Sequence, residues 1–287
     1  TVSIAKRLGV PVISTFHLQP ENLLYNLGIR SQILADLLYR FFVRWVYKRS
    51  AAVICPSAFA ESELRRFGLK VPTYIVSNGI MPRFRPGHYG RQPDLEHKFV
   101  ILSVGRLARD KRHDVLIQAI LSSKHRHRIQ LIVAGHGPLK EQVEKLASAL
   151  PVPARIGYLS EEELIRWLNT ADLYVHPSEV ELEGMAVLEA MACGLPVLMA
   201  DARTSASKQF AISERFLFRT NDPVHLASRI DYWIEHHLEL HDARTVYLEK
   251  ASHYRIEQSV ESLERIYSSH IHRDRRSRVR DDTRAGG

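Results

Sequence analysis

Pro177-Ser178-Glu179-Val180-Glu181-Leu182-Glu183-Gly184-Met185-Ala186-Val187-Leu188-Glu189-Ala190-Met191-Ala192-Cys193-Gly194-Leu195-Pro196 follows directly on the apolar run Asp172-Leu173-Tyr174-Val175-His176. The run reads as a buried strand, and Gly194 followed closely by Pro196 stops a helix. The order is strand, acidic loop, helix, strand. A helix starting near Gly184 leaves Glu181 and Glu183 just ahead of its electropositive end, where carboxylates are favoured and where open α/β sheets gather ligands. Glu189 falls inside an otherwise apolar, small-residue helix. A buried carboxylate without partners is costly, so it requires a water-filled crevice or a ligand that donates hydrogen bonds, such as a sugar diol.

Two acids near a helix start, taken alone, read as a capped helix with one carboxylate on its solvated side. Their context is longer. Glu181, seven residues and Glu189, with Pro177-Ser178 before and Glu189-Ala-Met-Ala-Cys-Gly-Leu-Pro-Val197 after, resemble the signature of the retaining glycosyltransferases of the GT-B fold, family 4. The resemblance implies an α/β fold of two Rossmann-type, doubly wound domains facing a cleft. It implies that Glu181 faces the donor sugar, that Glu189 holds the nucleotide ribose, and that the backbone of Gly184, Met185 and Ala186 lies against the sugar hydroxyls.

Outward from this stretch, alternating strand and helix patterns fill the 287 residues, as expected of parallel sheets with right-handed crossovers. Residues 10–16, 51–55 and 73–76 read as strands, with helical patterns over 31–49 and 57–68 between them. Ser77-Asn78-Gly79-Ile80 reads as a turn, and Met81–Lys98, with Pro82, Pro86, Gly87, Gly90 and Pro93, as a linker. The expected organisation is a partial first domain over 1–86, a nucleotide-sugar domain over 87–251, a helix over 252–272 that crosses back to the first domain, and a solvated, disordered tail over 273–287. The chain opens without methionine, as the tail of a helix running into a strand. The first domain of the resembled family has more strands and a glycine-rich loop that nothing here matches, so an opening portion of a longer protein is expected to be missing.

Net charge is +8 at pH 7, which favours anionic partners without choosing among nucleotide phosphates, an anionic membrane and nucleic acid. The two cysteines, Cys55 and Cys193, fall in apolar elements and read as buried, reduced thiols, which suggests a cytosolic protein. No run of about 20 apolar residues is present to span a bilayer. Along 29–49, Ile33, Leu34, Leu37, Leu38, Phe41, Phe42, Trp45 and Val46 form a broad stripe edged by Arg30, Arg40, Arg44, Lys48 and Arg49. Such a helix is able to lie on an anionic bilayer, but the favoured reading of the stripe itself is a core helix packed on the sheet, with an arginine edge left for lipid.

The second domain opens with Phe99–Val104, a buried strand, then Gly105-Arg106-Leu-Ala-Arg109-Asp110-Lys111-Arg112-His113. With Asp110 as N-cap, Lys111, Arg112 and His113 fall in the first turn of a helix, where cations oppose the dipole. An anion between them resolves that conflict. By resemblance, Arg106 and Lys111 are the pair that grips the donor diphosphate. His17 stands at the end of the first strand; a lone histidine there reads as a surface residue, and the resemblance places it beside the donor sugar. Gln19–Asn26 resembles an acceptor-side loop of members acting on membrane lipids. Gly135-His136-Gly137-Pro138 lacks the third glycine of a dinucleotide fingerprint. It resembles the family's turn that positions the base side, with Gly135 and Gly137, while Arg155 and Ile156 end a strand where the nucleobase is seated. Ser160 and Glu163 read as a capping box. Asp201–Phe210 departs from the usual Gly-Gly-x-Pro-Glu loop and resembles a subgroup of glycolipid and surface-polymer synthesis.

The expected function is transfer of a hexose from a UDP- or GDP-sugar to a lipid or lipid-linked glycan, with retention of configuration. His17, Glu181, Arg106 and Lys111 are the expected catalytic residues. No cofactor and no obligatory metal are expected, since Asp-x-Asp is absent and the basic residues take the metal's place. Expected partners are the nucleotide sugar, the lipid or glycan acceptor and an anionic membrane, on a cytoplasmic protein peripheral to the inner face of the cell membrane; nucleic acid is not expected. The competing readings are another GT-B-type enzyme, such as a phosphorylase or sugar-nucleotide epimerase, and a non-catalytic nucleotide-sugar-binding fragment.

Overall fold

The computed structural model describes residues 2–285, with side chains described up to 271 apart from residues 2, 3 and 6. Its runs of apolar, β-branched residues form two separate parallel sheets. The first contains β1 (Ile13–Thr15), β2 (Ala52–Cys55) and β3 (Thr73–Ile75) in the order β1-β2-β3, with helices α1 (Val2–Leu8), α2 (Pro20–Asn26), α3 (Gln32–Trp45) and α4 (Ala58–Arg66) between and before the strands. The second contains β4 (Phe99–Val104), β5 (Ile129–Ala134), β6 (Arg155–Gly157), β7 (Leu173–His176), β8 (Val197–Asp201) and β9 (Leu217–Arg219). Helices α5 (His113–Ser122), α6 (Lys140–Ala147), α7 (Glu161–Thr170), α8 (Met185–Ala192), α9 (Pro223–Glu235) and α10 (His237–Ser252) connect and follow them.

The second sheet runs β6-β5-β4-β7-β8-β9. Chain order reverses on either side of β4, so the carboxyl ends of β4 and β7 flank a topological switch point, the position where open α/β sheets bind ligands. Strands β5 and β7 are buried along their whole length, which is why their sequences are continuous apolar runs rather than alternating ones.

Helix α11 (Ile256–Ala285) returns to the first domain. Ile266 packs with Ile54 and Val76, and the His270 ring meets Tyr74 edge-on at 5.8 Å. The chain thus crosses twice between domains, and the crossings are bonded to each other: Ile80 N donates to the Tyr254 carbonyl at 2.7 Å and Ile256 N to the Ile80 carbonyl at 3.1 Å. The backbone of α11 is helical through Ala285. The expected tail over 273–287 falls on this stretch, whose side chains, and whose last two residues altogether, lie outside the described residues.

Three local expectations are corrected. Gln19–Asn26 is largely a helix rather than a loop, with Pro20 at its first turn, where a missing N–H costs nothing. Asp110 does not cap α5; it is buried in a turn over Arg109–Lys111, and Arg112, in the left-handed region at φ 51°, takes the cap position. The apolar stripe of α3 is packed only along one edge, where Phe42 meets the first-domain core and Leu38 is half-buried. Ala35, Tyr39 and Val43 are buried, whereas Ile33, Leu37, Phe41 and Trp45 are 76, 56, 52 and 49% exposed. The core selects the narrower row at spacing four because Tyr39 stacks on Phe67 at 4.6 Å and meets Phe16 edge-on.

Candidate active site

A cavity of about 280 Å³ opens between the domains. Its first-domain wall is His17, Asn22, Pro56 and Asn78, following β1, β2 and β3; its second-domain wall comes from the ends of β4 and β7 and the start of α8. His17, Lys111, Glu181, Gly184, Met185 and Ala186, all named from sequence, meet here.

Glu181 is placed by backbone first. Its N–H donates to the Thr204 carbonyl at 3.3 Å, and its carbonyl accepts from Ala206 N at 2.8 Å, so the 201–210 loop holds it as a short bridge. Its Oε1 lies 2.5 Å from Lys111 Nζ and 3.1 Å from His176 Nε2. His176 Nδ1 is in turn 3.3 Å from the Tyr174 hydroxyl, which donates to the Val104 carbonyl. Burial works to raise the Glu181 pKa, but the Lys111 ammonium and His176 outweigh it and hold the carboxyl well below its usual range. Burial opposes the charge on Lys111 as well, yet Glu181 and Asp110 keep its pKa above the ordinary value. Two charges are thereby kept ionised at the switch point.

Gly184 adopts φ 99° at the N-cap of α8, a conformation glycine alone enters freely. A Cβ there would stand 3.1 Å from Ser207 Cβ. The turn brings the N-terminus of α8, with Gly184, Met185 and Ala186, to the cavity wall, where the first N–H groups of a helix lack intrahelical partners. Beside it, Glu183 binds across the cleft: its Oε2 accepts from Asn78 Nδ2 at 2.6 Å and Asn78 N at 3.1 Å, and its Oε1 accepts from the Ser77 hydroxyl. Burial nevertheless raises the Glu183 pKa.

The other named residues lie elsewhere. Arg106 is exposed and makes no ion pair among the described residues. Glu189 does not line the cavity; it lies one turn along α8, where burial pushes its pKa up to about 7, with Arg83 opposing and Glu161 reinforcing the shift. Arg155 and Ile156 line a separate cavity of about 290 Å³ with Tyr158 and Trp167. The Arg155 guanidinium is engaged there by Asp94 at 2.7 Å and Gln92 at 2.6 Å, and lies over the Trp167 ring. Gly135 and Gly137 serve close packing of two loops, since a Cβ would come within 1.9 Å of the Gly105 carbonyl oxygen and 2.4 Å of the Leu107 carbonyl oxygen.

Sequence reasoning passed over His176 and Asn78, while Asn22 entered only as part of the acceptor-side segment. His176 served only to end a strand and Asn78 only to make a turn. The available signal was positional: both stand at carboxyl ends of parallel strands, as His17 does. Among the described residues, no three His, Cys, Asp or Glu side chains converge as a metal site.

Residues 90–251 match the family model described as glycosyl transferases group 1. The chain belongs to that family. Residues 1–84 match the model described as glycosyltransferase family 4. Among relatives of this group 1 chain, the alpha-monoglucosyldiacylglycerol synthase of Streptococcus pneumoniae is 26% identical over 213 residues, covering 68% of this chain and 47% of that protein. The sulfoquinovosyl transferase of Arabidopsis thaliana is 29% identical over 213 residues, covering 70% and 40%. The chain spans about half the length, 40–54%, of these two relatives and of a mycobacterial phosphatidylinositol dimannoside mannosyltransferase that it also matches. A crystal structure of the catalytic domain of cholesterol-alpha-glucosyltransferase from Helicobacter pylori is 37% identical, covers 54% of this chain and 99% of that one, and superposes with a TM-score of 0.50. Anabaena HepE, solved with UDP and glucose, covers 93% of this chain and 74% of its own at 18% identity and a TM-score of 0.76, a likeness of fold.

Proposed function

We propose that this chain carries the donor site and part of the acceptor site of a retaining hexosyltransferase that moves a sugar from a nucleotide diphosphate to a membrane lipid or lipid-linked glycan. The observation that carries the reading is the convergence of Lys111, Glu181, His17 and the N-terminus of α8 on one interdomain cavity. An ammonium and a helix N-terminus together attract a diphosphate. They also stabilise the charge that develops on it as the glycosidic bond to the leaving phosphate breaks. Arg106, exposed at the rim beside Gly105, reaches the same phosphates in this reading, and Glu189 takes the ribose diol, which relieves the cost of its burial.

Glu181 orients the donor sugar's hydroxyls rather than acting as a base. A carboxylate whose pKa is held this far down has little proton affinity. Both Glu183 oxygens are already engaged by the first domain. With neither glutamate available as base, the departing phosphate oxygen takes the acceptor hydroxyl's proton in this reading as the new carbon–oxygen bond forms on the face the phosphate leaves, and His17 stands beside the donor sugar. Retention of configuration follows from that same-face geometry. No metal enters this account.

The lipid side of the proposal rests on α3. Ile33, Leu37, Phe41 and Trp45 are exposed with Arg40, Arg44, Lys48 and Arg49 around them, the composition of a helix seated in an anionic interface. Among the described residues no helix is long and apolar enough to cross a membrane. Two of the relatives carry names of lipid-directed enzymes, a glucosyldiacylglycerol synthase and a phosphatidylinositol dimannoside mannosyltransferase.

The test is a product assay. Radiolabelled UDP-glucose and GDP-mannose are supplied with liposomes containing diacylglycerol, phosphatidylinositol or sterol. An α-linked glycolipid from an α-linked donor supports the proposal; a requirement for inorganic phosphate, or reaction of the donor with no acceptor, assigns the chain to another GT-B chemistry.

A further inference from the structure

Behind the cavity just described lies a second one of about 330 Å³, also between the domains. The wall between the two is made of interdomain hydrogen bonds. Ser57, which lines the second cavity, donates to the Leu182 carbonyl at 2.5 Å, and Ser77 donates to Glu183; Leu182 and Glu183 line the first. The far side is closed by the paired crossings at Ile80 and Tyr254–Ile256. The space therefore belongs to the fold.

Its chemistry differs from that of the first cavity. No Asp, Glu, Lys or Arg lines it, so no charged carboxylate, ammonium or guanidinium faces its ligand. It is not an apolar slot either. Gln209, His253, Tyr254 and Gln258 line it, and their side chains make no hydrogen bond among the described residues. Each glutamine offers an acceptor and two donors. Between them stands the Tyr254 ring, fixed edge-on by Phe210 at 5.4 Å, with Ile75 exposed by 53% nearby. Two unpaired amides and the Tyr254 hydroxyl beside an aromatic and an aliphatic surface match a ligand with hydroxyls on its rim and C–H groups on its face.

We propose that this second cavity binds an uncharged, polyhydroxylated ligand: the glycan of a glycosylated acceptor, held next to the donor cleft across Pro56, a residue lining both cavities. This use rests on the transferase reading; the site itself does not. Occupancy would be felt at Glu183 through Ser77, so the acceptor glycan and the donor cleft are coupled.

Saturation-transfer NMR tests it, with maltotriose and cellobiose as neutral probes and glucose 1-phosphate as the charged control. The comparison is between the full chain and a Gln209→Ala/Gln258→Ala variant, both of exposed residues, with and without saturating UDP. The expected result is transfer to a neutral sugar that persists under UDP, falls at least five-fold in the variant, and is weaker for the phosphate. Absence of transfer to either neutral probe overturns the proposal, as does a signal that UDP abolishes or that the variant leaves unchanged. UDP binding is read in parallel by calorimetry. Its absence, beside transfer to a neutral sugar, refutes the transferase reading and leaves the sugar site standing.

Discussion

Lys111 Nζ and Glu181 Oε1 stand 2.5 Å apart at the switch point of the second sheet, one from the turn after β4 and one from the loop after β7. Each neutralises the other in a largely buried setting, so neither is removed without exposing the other. Lys111→Ala is expected to destabilise the chain by about 3 kcal/mol, because a buried carboxylate loses its cation. Because Lys111 also pairs with buried Asp110 at 3.6 Å, the paired replacement Lys111→Met/Glu181→Gln is expected to recover only part of that loss while nucleotide binding stays weakened at least ten-fold. Urea unfolding beside calorimetry separates the two effects.

The same pair sets an acid limb. The folded pKa of Glu181 lies below its ordinary value of 4.5, so its contribution to stability is present above that pH and is lost as pH falls toward the folded value. Glu181→Gln is expected to flatten the decline below about pH 4.5, as followed by thermal melts across pH 2–6.

Glu189 has the opposite sign. Its pKa rises from 4.5 to about 7 on folding, so the folded state binds more protons between those values and stability falls as pH rises through the window. Glu189→Gln is expected to stabilise the chain at pH 8 by on the order of 1–2 kcal/mol, after allowance for partial exposure. If Glu189 holds a ribose, the same variant weakens nucleotide binding at least ten-fold. Stability without that weakening would leave Glu189 a buried acid with no ligand.

Gly135→Ala forces a methyl to within 1.9 Å of the Gly105 carbonyl oxygen and is expected to cost about 3 kcal/mol or more. Unfolding midpoints check it. The position was legible in the sequence as special, but the reason was not. Gly-x-Gly after a strand reads as a ligand loop, whereas here the constraint is two loops of adjacent strands packed backbone to backbone. The signature from Pro177 to Pro196 behaved differently: strand, loop and helix fall where its periodicity and breakers put them, because each is specified locally. What escaped was set by distant chain. His176 meets Glu181 only once β7 ends there, and Asn78 faces Glu183 only because two domains meet. On α3 eight apolar residues were visible, but a sheet buries the row that fits it, and sequence spacing does not say which row that is. Strand β9, three residues long, is too short to show a period at all.

The exposed row of α3 supplies a prediction of its own. Replacing Ile33, Leu37, Phe41 and Trp45 with Ser or Gln is expected to leave the far-ultraviolet circular dichroism unchanged, since each is about half exposed or more. Flotation with vesicles of phosphatidylglycerol and phosphatidylcholine is expected to drop by at least ten-fold. Equal flotation would remove α3 as the membrane contact.

The measurement that bears most directly on the donor site is calorimetric titration of the chain with UDP, GDP, ADP and their sugar conjugates, beside Glu189→Ala and Lys111→Met/Glu181→Gln. Saturable binding of one nucleotide in preference to the others, weakened at least ten-fold by both variants, is the predicted result. Binding that ignores both sets of substitutions, or no binding of any nucleotide by the folded chain, would contradict a donor site at the Lys111–Glu181 cleft.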